Sequence, residues 1–156
     1  MNQPLDERDV VLVVDDSPET LGMLNHALDQ AGLTVLVALE GMQAVSIARK
    51  MQPDIILLDA VMPNLDGFAT CRILKREPDL ADVPVIFMTG LTDTDDIVKG
   101  LEAGGVDYVT KPVKPQELIA RMRVHLNNAR LTQSARTALD TAGQFLLATT
   151  RDGQFL

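Results

Sequence analysis

After a polar start, the chain enters Val10–Asp15 (VVLVVD), a run of aliphatic residues with no polar position until its last. A strand that is apolar at every position is buried on both faces, as in a parallel sheet covered by helices; a sheet with one wet face would alternate. Ser17-Pro18-Glu19 then reads as an N-cap, a proline at the first helical position and a first-turn acid. Leu21, Leu24, Leu28 and Ala31 follow at helical spacing, and Gly32 stands where a helix would end. The same alternation then repeats. Thr34–Leu39 predicts a strand, and Gly41–Met51 a helix with Ala44, Val45 and Ala48 inward. Pro53 breaks the chain before a strand at Asp54–Asp59, and Asp66–Arg76 predicts a helix that buries Phe68, Cys71 and Leu74. Val83–Thr89 is the fourth strand and Asp93–Ala103 a helix closed by Gly104-Gly105. Val106–Val109 is a short fifth strand, and Pro115 opens a last helix.

Five strands alternating with five helices specify an α/β fold with helices on both faces of the sheet. Parallel crossovers are right-handed, which leaves few topologies. The simplest is a doubly wound five-stranded parallel sheet of flavodoxin-like order 2-1-3-4-5, here with a C-terminal helical extension. In such sheets ligands bind beyond the carboxyl ends of the strands, so the chemistry is expected there.

Composition narrows the picture further. The chain is 46% hydrophobic but only 3% aromatic, so its core must be aliphatic. It shows no apolar run long enough to cross a bilayer, an acidic N-terminus unlike a signal peptide and one cysteine, Cys71, which forbids an internal disulfide. These features predict a soluble, cytoplasmic protein without membrane contact. The net charge of −8 is concentrated before residue 127. Such an acidic body repels phosphate backbones, so direct nucleic-acid contact by these residues is not expected.

Strand 1 ends in Asp15-Asp16, strand 3 in Asp59 and strand 4 in Thr89, and strand 5 is followed by Lys111-Pro112. Each has an ordinary explanation alone: an aspartate capping a helix, a threonine in a strand, a lysine in a solvated loop. Together they place three carboxylates, a hydroxyl and an ammonium on one rim. Crowded carboxylates raise one another's pKa values, and a cation relieves them. Hard oxygen ligands suit Mg²⁺, with Mn²⁺ as the alternative, and the lysine supplies a point charge for a phosphoryl oxygen. The set reads as one that positions and neutralises a phosphoryl group in transfer.

Asp15-Asp16, Asp59, Thr89 and Lys111-Pro112 resemble the response-regulator receiver family of two-component signalling. The likeness covers roughly residues 9–127 and extends to Met62-Pro63, Asp66-Gly67 and Tyr108. Successive spacings of 43, 30 and 22 residues from Asp16 to Asp59, Thr89 and Lys111 each fit one or more βα units. The resemblance implies that Asp59 is phosphorylated by a histidine kinase or a phosphotransfer protein. It implies Mg²⁺ ligation by Asp16 and Asp59, by Asp15 through water, and by the backbone carbonyl of Val61. Lys111 and Thr89 would contact phosphoryl oxygens. Tyr108 would turn inward as Thr89 moves, changing the face around helix 4, strand 5 and helix 5. That face, or the C-terminal helix, would form a homodimer.

Two positions depart from the family pattern. Gly90 stands where the family more often has Ala, which should loosen the loop after Thr89. Val61 and Leu91, two residues beyond Asp59 and Thr89, are apolar and cannot orient a water, so self-dephosphorylation should be slow. A rival reading, a phosphatase with an aspartyl-phosphate intermediate, wants a second acid where Val61 stands. A degenerate, phosphorylation-independent interaction module is the other rival. His26 and His125 lie far apart without evident partners and are not assigned as phosphoryl donors; Cys71 is expected to pack.

Beyond the receiver, residues 1–8 read as a tail and 128–143 as a helical linker. A helix from Pro115 to Ala142 would run 28 residues, about 42 Å. Residues 144–156 read as strand, Asp152-Gly153 turn and the start of another strand, weakly similar to the opening of a PAS-type module. The expectation is a piece of a longer regulator, with a helix-turn-helix DNA-binding output domain.

Overall fold

The computed structural model describes residues 9–90 and 94–131. The elements run β1 (Val10–Val14), α1 (Pro18–Gln30), β2 (Thr34–Ala38), α2 (Gly41–Met51), β3 (Ile55–Asp59), α3 (Gly67–Arg76), β4 (Val85–Thr89), α4 (Thr94–Glu102) and β5 (Asp107–Thr110). A fifth helix, α5, is followed over 115–131. The strands form one parallel sheet of order β2-β1-β3-β4-β5, as expected.

The all-apolar strands divide their side chains between two cores. Val11 and Val13 of β1, Ile55 and Leu57 of β3, and Ile86 and Met88 of β4 pack with Leu21, Leu24 and Leu28 of α1 and Leu118, Met122 and Leu126 of α5. Their alternates Leu12, Val14, Ile56, Leu58, Val85 and Phe87 pack with Ala44, Val45 and Ala48 of α2 and Phe68, Cys71 and Leu74 of α3. This period-2 division between two helical layers is why these strands are apolar up to their carboxyl ends. Cys71 is fully buried, and that burial pushes its thiol up to about 11 despite nearby Lys75 and Arg72, which leaves it inert at neutral pH.

Local chemistry sets the helix ends. Ser17 Oγ accepts from Thr20 N–H at 3.3 Å with Pro18 in the first turn, and Asp66 Oδ1 accepts from Ala69 N–H at 2.8 Å. Gly32, at φ +93°, supplies the left-handed residue that ends α1. Unlike the other helices of the body, α4 buries only Gly100, through which it approaches the Phe87 ring, and leaves Val98 and Leu101 exposed.

The compact body ends at Leu126, while α5 continues through residue 131 with Val124 and Leu131 exposed. The expected tail over 1–8, the linker beyond 131 and the strand-turn-strand of 144–156 lie outside the described residues, as do Leu91 and the predicted helix start at Asp93. No helix among the described residues is long and apolar enough to cross a membrane.

Candidate functional site

In-register parallel pairing brings the strand ends to one rim. Val14 lies opposite Leu58, Asp59 opposite Met88 and Thr89 opposite Thr110, so the residues that follow emerge together. Asp15 is fully buried, Asp59 and Thr89 are buried, and Asp16 is exposed. Carboxylate oxygens of Asp15, Asp16 and Asp59 all lie within 4.8 Å of one another.

Backbone and lysine contacts orient two of these acids. Asp15 Oδ1 accepts from Ser17 N–H at 2.8 Å. Asp59 Oδ1 accepts from Val61 N–H at 3.1 Å, and its Oδ2 from Lys111 Nζ at 3.0 Å. Lys111 Nζ also lies 2.9 Å from Asp15 Oδ2. It sits off the hydrogen-bonding direction, so this fully buried oxygen has a charge partner but no hydrogen bond. Burial is the main cause that raises the Asp59 carboxyl above the usual carboxylate range; the Lys111 and Val61 bonds oppose it and the Asp15 charge adds to it. Burial also works against the Lys111 charge, but Asp15 and Asp59 more than offset it and hold the ammonium above its ordinary value.

Three carboxylates against one ammonium leave a negative excess, and a buried carboxylate oxygen without a hydrogen bond is costly. Hard oxygen donors converging on one point, one of them unsatisfied, fit Mg²⁺. Asp15, Asp16 and Asp59 could hold it. Val61 enters the group through its amide, beside Asp59, and the residue is 57% exposed.

Thr89 closes β4, and its carbonyl accepts from Lys111 N–H at 2.9 Å, which ties the lysine to the strand end. Tyr108, on β5, is 38% exposed. Between β4, β5 and α4 lies a shallow apolar cleft, open to solvent, lined by Ala60, Phe68, Phe87, Ile97 and Leu101 together with Thr89 and Tyr108. Apolar space thus adjoins both residues.

One cluster escaped the sequence. Asp107, at the start of β5, accepts from Arg121 Nη1 at 3.1 and 3.0 Å on its two oxygens and lies 3.0 Å from His125 Nε2. His125, expected to lack a partner, therefore has one. Arg121 and His125 share a helix face at i,i+4 spacing, which was legible; that Asp107 faces them was not. Burial opposes the Asp107 charge, but bonds from His125, the Tyr108 amide and Arg121 hold its carboxyl below the usual range. His26 is exposed on α1.

Comparison with known proteins agrees with this geometry. The family model for the response regulator receiver domain matches residues 11–123. The DNA-binding response regulator MtrA of Mycolicibacterium smegmatis is 43% identical over 119 residues, 76% of this chain and 51% of that protein. The DNA-binding dual master transcriptional regulator RpaA of a Synechocystis species is 36% identical over 127 residues, 81% of this chain and 53% of that one. The chain thus spans about half the length of these relatives. Among solved structures, the signal receiver domain of a histidine kinase from Syntrophus aciditrophicus superposes with a TM-score of 0.72 at 38% identity, covering 78% of this chain and 92% of that one. Chemotaxis protein CheY4 of Vibrio cholerae gives 0.72 at 29% identity, covering 74% and 96%. Fold, rim chemistry and sequence agree, and the chain belongs to the response regulator receiver domain family.

Proposed function

We propose that Asp59 is the phosphoacceptor of this receiver and that a histidine kinase or phosphotransfer protein is its donor. The observation that carries this reading is the buried Asp59 carboxylate held between Lys111 and two further acids. One oxygen of Asp59 attacks the phosphorus of a phosphohistidine. The O–P bond forms as the P–N bond breaks, and the electron pair of that bond returns to the imidazole. Lys111, within reach of both Asp15 and Asp59, pairs with a phosphoryl oxygen, and the Thr89 hydroxyl donates to another. Mg²⁺ (or Mn²⁺) would be held by Asp15, Asp16, Asp59 and the Val61 backbone carbonyl, and would supply the positive charge that lets carboxylate and phosphoryl group approach. The chain works once per signal and does not turn over a substrate.

The acyl phosphate adds charge and acceptor oxygens beside Thr89. As Thr89 shifts toward them, Tyr108 turns into the apolar pocket, and the face of α4, β5 and α5 changes. In this reading the receiver spans residues 9–127. The relatives named DNA-binding regulators support a transcriptional output, with DNA contacted outside this acidic body.

Incubation with Mg²⁺ and acetyl phosphate, or with beryllofluoride, tests the reading. Wild type should form an adduct that Asp59→Asn abolishes; no Asp59-dependent adduct sinks the proposal. With apolar Val61 beside the acceptor, the phosphorylated protein should decay over minutes or longer, and a half-life of seconds would overturn that part.

A further inference from the structure

Gly67, the first residue of α3, sits against the backbone of the phosphoacceptor. Its N–H donates to Ala60 O at 3.0 Å. A Cβ at this position would lie 2.2 Å from the Asp59 carbonyl oxygen, 2.7 Å from Ala60 Cα and 2.9 Å from the Asp59 carbonyl carbon. All three are backbone atoms, so no rotamer relieves the clash. Either α3 or the end of β3 must move by roughly 1 Å to restore ordinary contact.

Neither is free to move. Ala60 N–H donates to Met88 O at 3.0 Å, which fastens the end of β3 to β4. Asp66 caps α3 through Ala69 N–H, and fully buried Thr70 bonds to Asp66 O at 2.8 Å. Ala60 is therefore clamped between β4 and the first turn of α3. Asp59 and Val61 flank it, joined across it by the Asp59 Oδ1 bond to Val61 N–H.

We propose that Gly67 is a positioning residue of the site: its bare backbone seats the Asp59–Val61 segment so that the oxygens offered to a divalent cation keep their relative places. Mg²⁺ tolerates little distortion of its oxygen shell, so the seat sets metal affinity as well as packing. The inference rests on the divalent-cation reading of the Asp15, Asp16 and Asp59 cluster.

The test titrates Mg²⁺ into wild type, Gly67→Ala and Gly41→Ala, reading the amide resonances of Ala60 and Val61, with thermal unfolding recorded in parallel. Gly41 is the control because a Cβ there also crowds α3, from its α2 side, but meets the side chains of Thr70 and Leu65 and not the backbone of Asp59 and Ala60. Gly67→Ala should weaken Mg²⁺ affinity by roughly tenfold or more while still unfolding cooperatively. Gly41→Ala should lose stability and stay within about twofold of wild-type affinity, well short of the loss a 1 Å misplacement brings. Wild-type affinity in Gly67→Ala, or equal losses in both variants, overturns the inference. If Gly67→Ala does not fold, amide hydrogen exchange in the wild-type chain decides: saturating Mg²⁺ should slow Gly67 by a larger factor than Thr70, and equal factors overturn the inference. Failure of wild type to bind Mg²⁺ overturns instead the reading of the cluster on which it rests.

Discussion

Burial works against the ionised form of Asp59. Burial raises its carboxyl above the ordinary value and the Asp15 charge adds to this, yet nucleophilic attack requires the ionised form. Its folded pKa lies above the unfolded one of about 3.9, so the native chain binds more protons between the two values. Stability should therefore fall as pH rises through that interval, and the deficit should persist at neutral pH. In protein freed of divalent ions at pH 7, Asp59→Asn should raise the melting temperature by about a few °C, and Mg²⁺ should narrow the gap between variant and wild type. A lower melting temperature for Asp59→Asn would mean that the Lys111 bond outweighs burial and repulsion. Gly90 illustrates the opposite condition. Expected to loosen its loop, it stands in open space with no positive φ, so nothing among the described residues requires glycine there.

Among the elements, α5 and α4, which flank β5 on opposite faces of the sheet, are secured unequally. On one face, α1 and α5 bury long side chains, and α5 is fastened to β5 by the cluster of Asp107, Arg121 and His125. On the other, α4 rests on Gly100 beside Phe87 and borders the open pocket, which is the arrangement expected of an element drawn from the low-stability end of a fold. The Asp107 cluster should hold α5 against β5. Because its carboxyl is held below the usual range, the stabilisation is present above the unfolded value of about 3.9 and lost as pH falls through the folded one. Asp107→Asn should thus destabilise the chain at pH 7, by about 1 kcal/mol given a partly exposed network, with the difference shrinking in acid. Denaturant unfolding at pH 7 and pH 3 checks this; a difference that does not change with pH would mean that charge is not what holds the cluster.

At the scale of the molecule, the surface that borders the pocket carries exposed apolar side chains on neighbouring elements. Val98 and Leu101 of α4 and Tyr108 of β5 are exposed together with Val106 just before that strand. This favours the α4-β5-α5 face over the α5 extension, where exposed Val124 and Leu131 stand a full seven residues apart. Beryllofluoride with Mg²⁺ should shift the chain toward a dimer in sedimentation velocity. Leu101→Asp should prevent the shift and Leu131→Asp should leave it intact. The reverse pattern would assign dimerisation to the extended helix.

The sequence by itself determined the order of elements, the parallel sheet and the set of residues on its chemical rim. These depend on local signals: all-apolar strands that must be covered on both faces, caps and breakers at helix ends, and polar residues confined to strand ends. Asp15, Asp16, Asp59, Thr89 and Lys111 could be named because each marks the end of a periodic run. Tertiary structure decided what depends on register and angle between distant segments. It set which oxygens Lys111 reaches and left Asp15 Oδ2 without a hydrogen bond; it also left Tyr108 outward beside an open pocket. It gave His125 a partner 18 residues away, and it made Gly67 the point where α3 meets the end of β3. Periodicity records which face of an element is buried, whereas angstrom-scale contacts appear only when those faces are pressed together.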